Sequence, residues 1–368
     1  MVLSETEKLE SVQRNPLKLP RRSPADRLAF LDLFRGIAVF GMFDAHITNA
    51  LVSTPEAASR LYYYHDLLFN LPAPGFLFAA GISYGMSVAG RWNDYRVWSP
   101  ALRSRLMRLF EILVLGYLLH VPYFSLRKNL YVASQAQIVN FLNMDVLQCI
   151  AAGAFALLVL TGVLPSARWF FRTSVALTVF VPLASPVVWN LSPRLPWWLG
   201  TFVSKHWGSN FPLFPYSGFL FAGAAWGYLY AAARRNDVAT NFMRASGKAG
   251  GGLFLAGTVA AGLSLPAPYN DFWNASPQFF LLRIGFFAVV MALLFLVESR
   301  LLPGLRFLVL LGKESLVVYI SHLTIIYGSL VNPRLNLRMM IGSGANFWQW
   351  LAVYVLLTIT MTLLARLL

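Results

Sequence analysis

Two ionisable residues, Arg35 and His46, occur in the first long apolar segment, LAFLDLFRGIAVFGMFDAHITNALV (28–52). They are eleven residues apart, which in an α-helix is three turns plus about 20° and about 16 Å along the axis. Both side chains therefore share one helical face, with Met42 and Asn49 near the same line. Ionisable groups inside a bilayer are costly and mark functional sites by default. A cation near one end and a titratable base near the other suit a reaction that joins the two sides of a membrane.

A purely structural alternative exists for this pair. Arg35 would extend to the lipid headgroups, and His46 would lie at the interface. Asp44 stands two residues before His46, so a regular helix turns its side chain about 200° away. We therefore expect Asp44 to pair elsewhere or to face outer water rather than to orient His46.

Other polar side chains are predicted in the outer half of the apolar segments or in outer loops. Asp145 and Gln148 are three residues apart and share a helical face. Arg283 is a candidate ion-pair partner for Asp145. Such a pair could also be purely structural and would then need no further function. His65 and Asp66 are expected in a solvated outer loop. The histidines are scattered without HxxxH spacing, so we expect no metal site.

A later segment, LGKESLVVYISHL (311–323), carries a polar stripe. Ser315, Tyr319 and His322 fall at i, i+4 and i+7, which is one helical face. Such a face within an apolar helix should look into a helical bundle. Hydrogen bonding between helices explains Ser and Tyr readily, whereas a buried histidine needs a partner.

The composition predicts a membrane protein. Hydrophobic residues make up 57% of the 368 residues and charged residues only 12%, whereas soluble domains carry about 25% charged residues. The net charge of +15 arises from 30 Lys and Arg against 15 Asp and Glu. Most basic residues stand between apolar spans, which favours a role in topology and contact with anionic membrane lipids, and we expect no nucleic-acid partner.

The predicted fold class is all-α, a polytopic membrane helical bundle of about ten transmembrane helices with both termini cytoplasmic. Residues 1–27 form a polar cytoplasmic tail that we expect to be disordered, and residues 28–368 form one transmembrane domain. With this arrangement 20 Lys and Arg lie on the cytoplasmic side and 7 on the opposite side, in agreement with the positive-inside rule. The predicted spans are 29–50, 67–90, 104–122, 141–163, 169–188, 211–232, 249–265, 278–298, 305–330 and 346–366.

Two of these spans are expected to be irregular. The span 305–330 is long and contains Gly312 and Lys313, which indicates a broken or tilted helix. The span 211–232 opens with Pro212 and Pro215, which suit a helix start or a re-entrant bend.

Several of these segments resemble the transmembrane acyltransferase superfamily. LDLFRGIAVFGMFDAH (31–46) is similar to its first-helix motif, in which an Arg-Gly or Arg-Ala pair follows an acidic residue and a His ends the helix. The interval from Arg35 to His46 agrees with the acyltransferase-3 motif. Three pieces look more like bacterial relatives of heparan-alpha-glucosaminide N-acetyltransferase, and LGKESLVVYISHL resembles a late helix shared by several branches. The three pieces are PGFLFAAGISYG (74–85), DVLQCIA (145–151) and FPLFPYSGFLFAG (211–223).

The resemblance implies an acyl-CoA donor on the cytoplasmic side and an outer acceptor, often a sugar. His46 would then be the catalytic residue. The chain departs from the pattern in one respect, because Ala45 separates Asp44 from His46 where related sequences often place Asp directly before His. In the heparan enzyme the essential histidine lies farther out, which makes His65 the reserve candidate. OpgC-type succinyltransferases share a similar first helix, so the acyl group stays open.

The sequence thus predicts an acyltransferase that moves an acyl group, most simply acetyl, from acetyl-CoA or another acyl-CoA to an extracytoplasmic glycan hydroxyl or amine. His46 would act as general base or form an acyl-histidine intermediate. The expected location is the bacterial inner membrane, and small residues around 250–262 allow a homodimer. The alternative is a proton-coupled transporter or flippase without acyl chemistry. Arg35, Lys313, Arg103 and Arg105 would meet the CoA phosphates, and Asn49, Asp145, Gln148, Arg283, Tyr319 and His322 would line the substrate site.

Overall fold

The described part of the chain is helical and contains no strand. The predicted tail, 1–27, and the pair His65 and Asp66 lie outside the described residues. The computed structural model describes residues 28–52, 70–123, 125–301, 303–328 and 335–368. The helices are α1 (Ala29–Leu51), α2 (Pro72–Arg91), α3 (Pro100–Leu118), α4 (Leu126–Tyr131), α5 (Gln135–Leu142), α6 (Val146–Val163), α7 (Ala167–Leu191), α8 (Trp197–Val203), α9 (Leu213–Arg235), α10 (Ala239–Ala261), α11 (Pro277–Leu301), α12 (Arg306–Lys313), α13 (Ser315–Tyr327), α14 (Leu337–Ile341) and α15 (Phe347–Leu367).

Each predicted span overlaps a long helix or, in one case, a pair of helices. Four segments of the described chain are individually long and apolar enough to cross a membrane, and α12 with α13 would make a fifth if the bent pair is one span. The other helices are shorter or carry more charged, small and polar residues. The four segments are Val146–Val163, Ala167–Arg194, Pro277–Glu298 and Phe347–Leu367.

Helix α1 runs through the centre of the bundle and contacts α2, α11, α12, α13 and α15. Its close neighbour α12 crosses it where both helices carry a glycine. A Cβ at Gly36 would meet the carbonyl oxygen of Leu308, and a Cβ at Gly312 would meet that of Asp32. The two backbones therefore touch, which brings the end of α12 beside the start of α1.

The break expected in the span 305–330 is confirmed. Helices α12 and α13 are separated at Glu314 and are bent by 89° relative to one another. The proline-rich start of the span 211–232 is also confirmed, since Pro212 caps α9 and the backbone at Phe214 is not helical. The carbonyl oxygen of Phe214 accepts a hydrogen bond from the indole N–H of Trp189, at 2.8 Å.

Several boundaries differ from the prediction. Helix α10 begins at Ala239, ten residues before the predicted start, so Arg244 and Lys248 are helical rather than in a loop. The hydrophobic run marks only the apolar part of a helix, and packing against α11 continues the helix beyond it. Gly250 and Gly257 of the proposed dimer segment pack against α11 within the same chain. The segments predicted as outer loops contain the short helices α4, α5 and α8.

Candidate active site

His46 lies near the end of α1, half-buried and in contact with Tyr327 at the end of α13. The phenol of Tyr327 donates a hydrogen bond to the backbone oxygen of His46 at 3.2 Å, and the phenol oxygen lies 3.4 Å from Nδ1 of the same histidine. A phenol has a single proton, so once it is given to the backbone the oxygen can accept one from Nδ1–H. This tautomer leaves Nε2 of His46 with a lone pair that can take a proton.

His322 packs next to His46, with the two ring centroids 5.3 Å apart. It is fully buried between Phe43 and Tyr319, at 5.1 and 5.5 Å between ring centroids. Its Nδ1 lies 2.9 Å from the carbonyl oxygen of Val318, to which Nδ1–H donates. Its Nε2 therefore carries a lone pair, and this nitrogen has no hydrogen-bond partner among the described residues. As predicted, the polar face of this helix looks into the bundle.

Asp145 connects α3, α6 and α13. One carboxylate oxygen caps α6 by accepting the N–H of Val146 at 2.8 Å. The other accepts the hydroxyl of Tyr319 at 3.4 Å and lies 3.8 Å from Nε2 of His120. The carboxylate is also within electrostatic reach of His46. Asp145 thus places a negative charge beside the two-histidine cluster.

The other predicted substrate residues lie in different surroundings. Gln148 is fully buried and neither polar atom of its amide has a partner among the described residues, so the amide is available to a ligand or to water. Gly116 of α3 leaves the room that this amide occupies. Arg283 is buried in α11, with its guanidinium carbon 3.5 Å from the centre of the Phe279 ring. Asn49 is exposed at the end of α1.

A cavity of about 230 Å³ begins one helical turn before His46, at Met42 and Tyr319. Three cationic side chains line it, Arg35 from α1, Arg108 from α3 and Lys313 from the end of α12. The remaining lining is largely apolar. A concave site with an apolar wall and three cations suits a ligand that combines phosphate groups with an uncharged arm.

Neighbouring helices hold the Arg35 side chain in the wall of this cavity. Its guanidinium donates to the Ser83 hydroxyl of α2 at 2.5 Å and to the Asp32 carboxylate, one turn earlier on α1, at 3.4 Å. Arg108 forms an exposed ion pair with Glu111 at 2.8 Å. Helix α2 and the early part of α1 therefore orient the first of the three cations.

Arg103 and Arg105 are not among the residues that line this cavity. Arg103 is exposed. Arg105 donates to the Tyr95 hydroxyl at 3.2 Å and lies over the rings of Tyr84 and Tyr95. Burial opposes ionisation of Tyr95, but Arg105 and the hydrogen bond with Ser87 hold the pKa of this phenol below its ordinary value.

Asp44 faces away from His46, as the helical spacing predicted. Its carboxylate is hydrogen-bonded with Thr48, whose hydroxyl oxygen accepts the indole N–H of Trp350 at 3.0 Å. Asp44 thus belongs to the contact between α1 and α15 and not to the histidine cluster.

The sequence did not single out Tyr327 or Arg108. Tyr327 lies five residues after His322 on the same helix. Its position at the helix end is the only feature of the sequence that could have marked it as a site residue. Arg108 follows Arg105 by three residues, which places the two about 60° apart on the helix. Only the packing of α3 against α6 decides which of the two faces the cavity.

The cationic cavity ends at Met42, one helical turn before the candidate base His46. A ligand in the cavity would extend past Met42 toward His46, where a nitrogen lone pair is oriented by Tyr327 and flanked by His322. This arrangement can hold a phosphate-bearing donor at one end and remove a proton from a second molecule at the other.

A family model described as "Heparan-alpha-glucosaminide N-acetyltransferase, catalytic" matches residues 27–258, more than half of the chain. Arg35, His46, Asp145 and Gln148 lie within the match. The last five helices, α11 to α15, lie beyond it. No curated protein matches the chain.

Proposed function

The chain belongs to the heparan-alpha-glucosaminide N-acetyltransferase catalytic family, as its motifs predicted, and from this premise we propose that it is a membrane acyltransferase. The donor is acetyl-CoA or another acyl-CoA, presented from the cytoplasm. The acceptor is a hydroxyl or an amine of an extracytoplasmic glycan. The membrane is the bacterial inner membrane.

One observation carries the proposal. The single helix α1 holds Arg35 in a cationic cavity and His46 one turn beyond the far end of that cavity. The proposed orientation puts the Arg35 end at the cytoplasm, with ten spans and both termini inside, as the distribution of Lys and Arg favours. The donor then enters from the cytoplasm and its thioester reaches the outer half of the bundle.

The cavity supplies the donor contacts. Arg35, Arg108 and Lys313 would neutralise phosphate oxygens, since guanidinium and ammonium groups form charge-assisted hydrogen bonds with them. The apolar lining from α2, α3 and α6 would enclose the uncharged arm that carries the thioester. Arg103 and Arg105 would contribute only to the charge of the cytoplasmic entrance.

His46 performs the proton transfer. Its Nε2 takes the proton of the acceptor O–H or N–H while the acceptor oxygen or nitrogen bonds to the thioester carbonyl carbon. The carbon–sulfur bond then breaks, and the imidazolium of His46 returns the proton to the departing thiolate. In the two-step variant, Nε2 itself bonds to the carbonyl carbon, the carbon–sulfur bond breaks and CoA departs as the thiolate. The acceptor oxygen or nitrogen then bonds to the acyl carbon as the carbon–Nε2 bond breaks, and the freed imidazole passes the acceptor proton to the thiolate.

Two buried polar groups would orient the acceptor. The Gln148 amide and Nε2 of His322 have no hydrogen-bond partner among the described residues, so both can bond to an acceptor. Asp145 would stabilise the imidazolium that forms on His46, and Tyr319 holds Asp145. Arg283 and Asn49 would contact more distant parts of the acceptor.

The experiment is binding and slow hydrolysis of acetyl-CoA by the detergent-purified protein, measured for wild type, His46→Ala and His206→Ala. His206 is an exposed histidine in the turn Lys205–Trp207, and serves as the matched control. We expect all three proteins to bind acetyl-CoA. Hydrolysis by His46→Ala should fall by about 10²- to 10⁴-fold, the usual contribution of a general base, while His206→Ala retains it.

Retained turnover in His46→Ala would refute the assignment of His46 as the base. His65 would then be the next candidate for the catalytic base. Absence of binding of any acyl-CoA by the correctly folded wild type would favour the proton-coupled transporter or flippase. Substrate-driven proton flux would then be the next measurement. A homodimer formed through residues 250–262 is a separate prediction. Sedimentation of the protein in detergent would test it by measuring the mass of the particle.

A further inference from the structure

A second cavity, of about 630 Å³, lies where α12 begins and α15 ends. Arg306, Lys313 and Arg366 contribute its charge, and Phe307 and Leu310 contribute apolar walls. It is separate from the candidate active site except that Lys313, at the end of α12, lines both cavities.

The three cations around this cavity have no counter-charge among the residues that the structure describes. Arg306 and Lys313 are seven residues apart, so they share a face of α12 at about 10 Å along its axis. Arg366 approaches from the last turn of α15. Within the described residues none of the three forms an ion pair or a hydrogen bond with a protein group. Like charges grouped at one concave surface repel each other, and an anion bound there would relieve this repulsion.

The surface beside the cavity indicates that the anion carries hydrocarbon chains. Helix α15 is one of the helices that are long and apolar enough to cross a membrane. Ile359 and Leu363 lie on the same side of α15 as Arg366 and are 50% and 53% exposed. In a membrane such side chains contact acyl chains. The cavity therefore adjoins lipid on one side, and a soluble phosphate would leave its apolar walls uncovered.

We propose that this cavity binds an anionic phospholipid, with the headgroup phosphate between Arg306, Lys313 and Arg366 and the acyl chains along α15. The binding needs no acyl-transfer chemistry and can be tested separately from it. Because Lys313 also lines the donor cavity, the test leaves Lys313 intact and changes only the two arginines.

The experiment is native mass spectrometry of the detergent-purified full chain, titrated with phosphatidylglycerol or with phosphatidylcholine of the same acyl chains. The test protein is Arg306→Gln with Arg366→Gln. The control is Arg168→Gln with Arg244→Gln, which removes two exposed arginines from α7 and α10. A third arm adds glycerol 3-phosphate as a soluble headgroup.

We expect the wild type to bind phosphatidylglycerol at least tenfold more tightly than phosphatidylcholine. The test variant should bind phosphatidylglycerol about thirtyfold more weakly, and the control should stay within about threefold of wild type, since each basic residue contributes to anionic-lipid binding only close to the headgroup. If the double variant does not fold, Arg366→Gln alone, at the exposed end of α15, gives the same comparison with a smaller loss.

Three results would overturn the proposal. Equal losses in the test variant and the control would indicate a general effect of net charge. Displacement of phosphatidylglycerol by glycerol 3-phosphate at a comparable concentration would identify a site for soluble phosphate. Equal affinity of the wild type for phosphatidylglycerol and phosphatidylcholine would show that the cavity is not a site for anionic lipid.

Discussion

Tyr327 contacts His46 twice, by donating its hydroxyl proton to the backbone oxygen of His46 at 3.2 Å and by placing the same hydroxyl oxygen 3.4 Å from Nδ1. One side chain thus positions both the backbone and the ring of the candidate base. The contact joins residues 281 positions apart in sequence. It requires that α13 lie against the end of α1, which the break at Glu314 allows.

The first prediction concerns this contact. Tyr327→Phe keeps the ring but removes the hydroxyl, so Nδ1 loses the acceptor that selects its tautomer. We expect kcat to fall by roughly tenfold, the value of one to two neutral hydrogen bonds, with little change in KM for acetyl-CoA. Steady-state kinetics of the purified variant measure both constants.

Tyr354→Phe is the matched control. The hydroxyl of Tyr354 also donates to a backbone oxygen of α1, that of Phe40 at 3.3 Å, but Phe40 is more than one turn away from His46. Its removal should leave kcat within about twofold. Equal losses of kcat in the two variants would mean that the hydroxyl of Tyr327 only supports the helix contact.

The second prediction concerns the donor cavity. Lys313 is exposed to the cavity and has no protein partner among the described residues. Lys313→Gln therefore removes a positive charge without leaving a buried carboxylate unpaired. We expect KM for acetyl-CoA to rise by about five- to tenfold at low salt, the value of one partly exposed charged contact, and kcat to change little. Lys248→Gln, exposed on α10, should change neither constant.

Salt provides an independent check of the same contact. The wild-type KM should rise with ionic strength, because counter-ions screen an exposed charge pair over about 10 Å at 0.1 M salt. The KM of Lys313→Gln should rise less steeply. Parallel salt dependence in the two proteins would argue that Lys313 does not contact the donor phosphates.

The third prediction separates two roles of Asp145, which caps α6 and supplies charge near His46. Asn is as good a helix cap as Asp. Asp145→Asn should therefore melt within a degree or two of wild type but lose activity, because a neutral amide cannot stabilise an imidazolium. Asp145→Ala should lose activity and also about 1 kcal/mol of stability.

Thermal unfolding in detergent and initial rates measure the two effects. A fully active Asp145→Asn would reduce Asp145 to a structural cap. A strongly destabilised Asp145→Asn would show that the contacts with His120 and Tyr319, rather than the cap, hold this region together.

The sequence predicted relations within one helix better than relations between helices. The shared face of Arg35 and His46, the opposite direction of Asp44 and the inward face of His322 all follow from helical spacing. The contact of Tyr327 with His46 depends on the angle between α12 and α13, which spacing within a helix does not determine. The number of spans stays a prediction, because four described segments, or five with the bent pair, are long and apolar enough to cross a membrane, against ten predicted spans.

The sequence pattern also does not predict which helices pack against each other. Gly81 and Gly85 of α2 face Gly223 and Gly227 of α9, so both helices carry a GxxxG pair. Each pattern is visible in the sequence and indicates close packing of helices. Neither pattern names its partner, and only the folded bundle matches one to the other.

The last prediction uses this pairing. A Cβ at Gly85 would collide with the carbonyl oxygen of Ala224, whereas a Cβ at Gly90 of the same helix would meet nothing within 4 Å. Gly85→Ala must therefore separate the two backbones and should cost about 2 kcal/mol or more, as overpacking of a tight contact does. Gly90→Ala should be neutral or stabilising by up to about 1 kcal/mol, because Ala favours a helix over Gly.

Thermal unfolding of the two variants in detergent tests this difference, and kinetics extend it to the site. Ser83, which accepts a hydrogen bond from Arg35, lies between Gly81 and Gly85. A shift of α2 away from α9 should displace Ser83 and loosen Arg35, so Gly85→Ala should raise KM for acetyl-CoA while Gly90→Ala does not. Equal melting temperatures for the two variants would contradict the close approach of α2 and α9. A lower melting temperature with an unchanged KM would show that Arg35 is held without Ser83.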